Sequence, residues 1–175
     1  PAVTLYSNST LFDIQMSVTN LSSVDMPLQY MCHMNYCYEH GAELTQNIPD
    51  EAIVLRETIP AHVSPTEKWL EFNDKIKKGE YHLDKLDNDV MYDPEIVFFM
   101  DNLSKYQENL EYKMKSPSGH SYITKFSSKD FNYATRWILF NEDQQVGAFE
   151  LPATCRQEGF LAAKKAGSLI MLKPK

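Results

Sequence analysis

The sequence predicts an all-β sandwich, and three observations carry that prediction. Eight or more short stretches show strand-like alternation or apolar runs of strand length. Turn-prone clusters of Gly, Pro, Asn and Ser separate them. Only one stretch has the caps and spacing of a helix of any length, so helices cannot form the layers of this fold. With 175 residues there is enough chain for one sizeable core, and 1–175 is read as a single domain.

Taken in order, Val3 to Tyr6 reads as a short strand closed by Ser7-Asn8-Ser9. Phe12, Ile14, Met16 and Val18 alternate with polar residues, which predicts a strand with one buried and one wet face. A polar loop over 20–27 then leads, as a hairpin-like return, to a strand over Leu28 to Tyr36. Ala52 to Leu55 is a short apolar strand. Ser64-Pro65-Thr66-Glu67 predicts a helix start with Ser64 as N-cap, Pro65 at the first position and Glu67 at the third, ending near Gly79. Asp84 to Asp93 reads as a solvated acidic loop, because the glycine and spacing of a calcium loop are missing. Glu95 to Met100 is a strand. Hairpins follow over 110–126, around Pro117-Ser118-Gly119, and over 136–150, around Asn141-Glu142-Asp143. Gly159 to Gly167 predicts a brief helical turn, and Ser168 to Leu172 a last strand.

Bulk properties remove several classes of function. Apolar residues make up 43% and charged residues 23%, outside the range of a disordered chain. No apolar run is long enough to cross a bilayer and no signal-peptide pattern opens the chain, so no membrane partner is expected. A formal charge of −7 disfavours nucleic acid. Cys32, Cys37 and Cys155 form no CxxC pair, and their odd number fits a reduced, cytoplasmic setting. The five histidines lack zinc-site spacing, and no metal or other cofactor is expected.

Chemistry concentrates at a few positions. In the strand over 28–36, Tyr30, Cys32, Met34 and Tyr36 share one side, and Gln29, Met31, His33 and Asn35 the other. That sets His33 and Asn35 side by side, about 7 Å apart. Both need polar partners, so this face either lines a polar pocket or holds a core histidine satisfied by a carbonyl. Glu150 shares a face with Ala148 and Val146 by alternation and points toward a partly buried region. There its pKa is raised unless Arg136 or Arg156 pairs with it, which suits a general base or a structural salt bridge. Glu95 opens a strand directly after Pro94, as a site group or a rim carboxylate. Trp137 offers a face for a sugar ring or packs in the core.

Pro27 to Tyr36 resembles the strand of aldose 1-epimerase (galactose mutarotase)-like proteins that carries the active-site histidine. Thr135-Arg136-Trp137, then Val146 to Cys155 and Gly159, resembles the C-terminal signature of that family, most closely its DUF4432 branch. Pro94 to Phe99 is similar to the middle motif, whose acidic residue holds sugar hydroxyls. The resemblance implies a β-supersandwich of which this chain is the C-terminal part, with a small-molecule sugar as ligand. It implies Glu150 as base and His33 as acid in opening the sugar ring, which interconverts α and β anomers. Asn35 and Glu95 would hold hydroxyls, Trp137 would stack, and Arg136, where the branch usually has Gln, joins the substrate-binding set. Family members are much longer, and their N-terminal part supplies further strands, an arginine and commonly a second histidine. Together with a start at Pro1 rather than Met, this predicts a fragment that lacks an N-terminal segment or needs a second chain. A homo-oligomer stays open. Two alternatives accompany the epimerase: a non-catalytic sugar-binding or sensing module, and a half-domain that works only with a partner chain.

Overall fold

The computed structural model describes residues 1–61 and 63–175. Its secondary structure is dominated by antiparallel sheet, as expected, and the contacts divide the chain into two compact units, Pro1–Leu28 with Ile170–Lys175, and Gln29–Leu169.

In the first unit, β1 (Ala2–Leu5) and β2 (Phe12–Gln15) form an antiparallel hairpin with Val3 opposite Ile14 and Leu5 opposite Phe12. Cross-strand partners share a face, so these four apolar side chains form one side of the ribbon. The alternation over 12–18 is therefore real in its first half, but the face expected to be buried is exposed, from 39% at Ile14 to 77% at Leu5. The predicted return from this strand to 28–36 is absent: β3 (Met26–Leu28) pairs instead with β11 (Ile170–Leu172). Asn20 ties the unit together. Its buried amide donates to the Val24 and Leu172 carbonyls at 2.7 and 2.9 Å, and its side-chain oxygen accepts from Ser22 N.

The second unit is a sandwich. One sheet runs β10 (Gln145–Ala153), β9 (Tyr133–Phe140), β6 (Ile96–Asp101), β5 (Val54–Leu55); the other runs β4 (Glu43–Gln46), β7 (Asn109–Lys115), β8 (Ser121–Ser127). Leu44, Leu110, Tyr112 and Met114 from the smaller sheet and Ile96, Phe98, Met100, Ile138 and Phe149 from the larger belong to one buried cluster. Each such side chain contributes about 1.5–3 kcal/mol on leaving water. The two predicted hairpins stand, as β7–β8 and β9–β10. Ala52 closes a single 3-10 turn over Asp50–Ala52, leaving β5 only two residues.

Helix α1 (Glu67–Lys77) packs Trp69 and Phe72 into the core, and α2 (Phe160–Ala166) occupies the predicted helical turn. The cap of α1 differs from the prediction. Thr66, not Ser64, is the N-cap, accepting from Trp69 N at 3.2 Å. The hydroxyl two residues later does the same job for a helix that starts two residues later, and the exit uses Gly79 at φ +71°, where glycine alone is unstrained.

Two local irregularities shape everything that follows. β10 pairs Ala148 with Trp137 and Leu151 with Thr135, so it carries one extra residue: Phe149 and Glu150 together face Arg136. Beside β10, residues 30–38 run antiparallel along its free edge but are not the continuous strand expected. Thr154 N to Tyr30 O, Cys32 N to Pro152 O, Gly147 N to Tyr36 O and Tyr38 N to Gln145 O are bonded at 2.8–3.0 Å. The ladder lapses over 33–35, opposite the bulge, because a strand with an extra residue cannot keep register with a straight neighbour.

Candidate functional site

The four-stranded sheet has one face on the sandwich core and one outer face, and the predicted site residues divide between them. Successive residues of β9 point to opposite sides. Ala134, Arg136 and Ile138 face the core, while Tyr133, Thr135 and Trp137 face outward with Val97, Phe99 and Asp101 of β6 across the ladder.

On the outer face, His33, Trp137 and Glu95 come together. The Trp137 indole Nε1 donates to Glu95 Oε2 at 2.7 Å, and the Arg56 guanidinium donates to Oε1 at 2.6 Å. The Trp69 indole of α1 donates to the Glu95 backbone carbonyl at 3.2 Å. Glu95 is thus not a solvated rim group: its side chain is only 13% exposed and is clamped from two sides. The His33 ring meets the edge of Trp137 with centroids 5.4 Å apart and planes at 70°. His33 and Asn35 are both exposed, since the lapse in the ladder leaves this part of the chain free of β10. The predicted sidedness of 29–36 holds, with Tyr36 turned inward against Phe149 and Tyr122.

Arg136 and Glu150 lie on the core face. Before the bulge, alternation set Glu150 with Ala148; the extra residue carries it to the opposite face, beside Phe149 and Arg136. Arg136 is buried and donates to Phe149 O (3.1 Å), Leu83 O (3.1 Å) and Gln46 Oε1 (2.9 Å). Gln46 Nε2 in turn donates to Asp50 at 2.9 Å, so an amide relays the arginine's charge to a carboxylate. Burial pushes the Arg136 guanidinium down to about 10. No salt bridge joins it to Glu150, and Arg156 pairs elsewhere. Glu150 is fully buried, and neither carboxyl oxygen has a hydrogen-bond partner among the described residues. The Thr124 hydroxyl lies beside it without closing a bond of ordinary geometry. Burial raises the Glu150 carboxyl well above its ordinary range, with Thr124 and Arg136 opposing only in part. The Tyr112 hydroxyl nearby is likewise unpartnered, and burial raises its pKa too.

The arrangement therefore unites His33, Glu95 and Trp137 and separates them from Glu150 and Arg136 by the thickness of the sheet. One outer-face group, Arg56, escaped the sequence reading. Arg56 directly follows the short β5 strand, and a cation next to an apolar strand gave a local signal without a partner. Further along the same face, Arg156 grips Asp101 through Nε (2.9 Å to both oxygens) and a terminal nitrogen (2.5 Å) while lying over the Phe99 ring. Thr135 donates to Gln157 Oε1 at 2.5 Å. Arg156, which the sequence offered as a partner for Glu150, is thus committed to Asp101 instead. No family model, curated protein or solved structure matches this chain.

Proposed function

We propose that the outer face around Trp137, Glu95 and His33 binds an aldose, and that His33 is the proton-transfer group of an aldose 1-epimerase-like ring opening on a mutarotase-like supersandwich. The observation that carries this reading is the clamp on Glu95. A carboxylate has about four acceptor positions, and Arg56 and Trp137 occupy one on each oxygen, leaving a pre-oriented pair for sugar hydroxyls. The half-buried Trp137 ring supplies an apolar surface beside them, and the His33 imidazole, whose ring nitrogens can donate or accept a proton, stands at its edge.

Glu150 has no part in this scheme. It is fully buried on the other face, and a base must come within hydrogen-bond reach of the proton it takes. The proton acceptor for ring opening is thus a group on the His33 side or water. A sugar-binding module without catalysis uses the same face and differs only in chemistry.

Magnetisation-transfer NMR on a panel of aldoses, with tryptophan fluorescence for binding, separates these outcomes. Anomer exchange is expected to be lost in His33→Ala and kept in Glu150→Gln. Trp137→Ala is expected to weaken binding about tenfold or more, the scale of a lost aromatic anchor. Binding without exchange in the wild type leaves the binding module. Exchange that disappears in Glu150→Gln but survives in His33→Ala overturns the assignment.

A further inference from the structure

At the far end of the same sheet face, a cavity of about 250 Å³ opens between β6, β9 and α2. From it we infer a second ligand site, for a small neutral polyol, independent of the aldose reading at Trp137. The volume is below that usual for drug-sized ligands and holds one small ring or a short chain.

Its walls are chemically divided. On one side α2 contributes Ala162, Ala163 and Ala166, a shallow apolar surface with no polar side-chain atoms. On the other stand Asp101, Asn102, Tyr133, Arg156 and Glu158. Asp101 is spent on Arg156, but most of the remaining capacity is free. Among the described residues, Glu158 makes only a 3.4 Å contact to the Thr58 hydroxyl and a 3.8 Å approach to the second terminal nitrogen of Arg156. The Asn102 amide has no hydrogen bond among the described residues, and its backbone sits at φ +52°, a conformation asparagine tolerates. Burial raises the Tyr133 phenol, with the Asp101 charge adding to it, so it remains a neutral donor and acceptor.

Charge selects the ligand class. Two carboxylates and one guanidinium leave the cavity with an excess of one negative charge, which repels phosphates and carboxylates. The Arg156 guanidinium in the lining disfavours a cation. What remains is a neutral molecule whose groups both donate and accept, with a C–H side for the alanine wall. Hydroxyls on a compact carbon skeleton meet that description.

The test is a heteronuclear NMR titration of the whole chain with glycerol, myo-inositol and hexoses, alongside glycerol phosphate and glucose 6-phosphate. Saturable shifts are expected at the amides of 101–102, 133 and 156–168 with a neutral polyol, and not with its phosphate ester. Ala162→Phe, which fills the cavity, and Glu158→Gln, which is nearly isosteric and spares the packing, should each weaken those shifts about tenfold. Trp137→Ala should leave them unchanged, which keeps this site distinct from the one at Trp137. Shifts confined to His33 and Trp137, equal or tighter binding of the phosphate esters, or no response at the cavity amides with any polyol would each overturn the proposal.

Discussion

Glu150 is the residue at which chemistry and stability part company. Its carboxyl sits in the core with no hydrogen-bond partner among the described residues, and such a group costs about 1–3 kcal/mol relative to a satisfied one. The folded chain keeps the Glu150 proton at a pH where the unfolded chain, titrating near 4.3, has already released it. The folded state thus binds the extra proton, so stability is full below the ordinary carboxylate range and falls as pH rises toward the elevated value. Glu150→Met removes both the orphan group and that slope. Urea unfolding at pH 8 should show a gain of about 1–3 kcal/mol, shrinking toward pH 4. An unchanged pH slope in the variant would mean that Glu150 is ionised in the fold. The sequence pointed this glutamate toward a partly buried region and left open a raised pKa or a salt bridge to Arg136 or Arg156; neither arginine pairs with it. It could not mark the face, because one inserted residue inverts every inference from alternation.

At the scale of elements, the hairpins were legible because their cues are local: alternating residues on both sides of Pro117-Ser118-Gly119 and of Asn141-Glu142-Asp143 needed no distant partner. The start of α1 was less so, since Ser64 and Thr66 satisfy the same local rule and only the burial of Trp69 and Phe72 chooses between them. Thr66→Ala should cost about 1 kcal/mol, seen as a lower urea midpoint at constant m-value, and Ser64→Ala almost nothing. The reverse ranking would place the cap where the sequence first suggested it. The stretch around His33 shows the opposite limit. Its sidedness was readable, but its standing as a strand depends on the neighbour, and a bulged β10 cannot support it over 33–35.

At the scale of the molecule, the hairpin β1–β2 exposes Val3, Leu5, Phe12 and Ile14 on one face, and among the described residues both its edges are unpaired. A two-stranded ribbon of this kind is marginal alone and prone to association. Leu5→Lys with Ile14→Lys should lower concentration-dependent light scattering while leaving the near-ultraviolet circular dichroism of the sandwich unchanged; undiminished scattering would place the sticky surface elsewhere. What the sequence by itself determined is the class of fold, the positions of most strands, and the identity of the residues with chemistry to spare, because alternation, turn residues and buried polarity are written locally. What only the tertiary structure decided is which of those residues meet. His33, Glu95 and Trp137 converge from three separate segments on one sheet face, and Glu150 is turned to the other by a single extra residue whose effect exists only once β9 and β10 are paired.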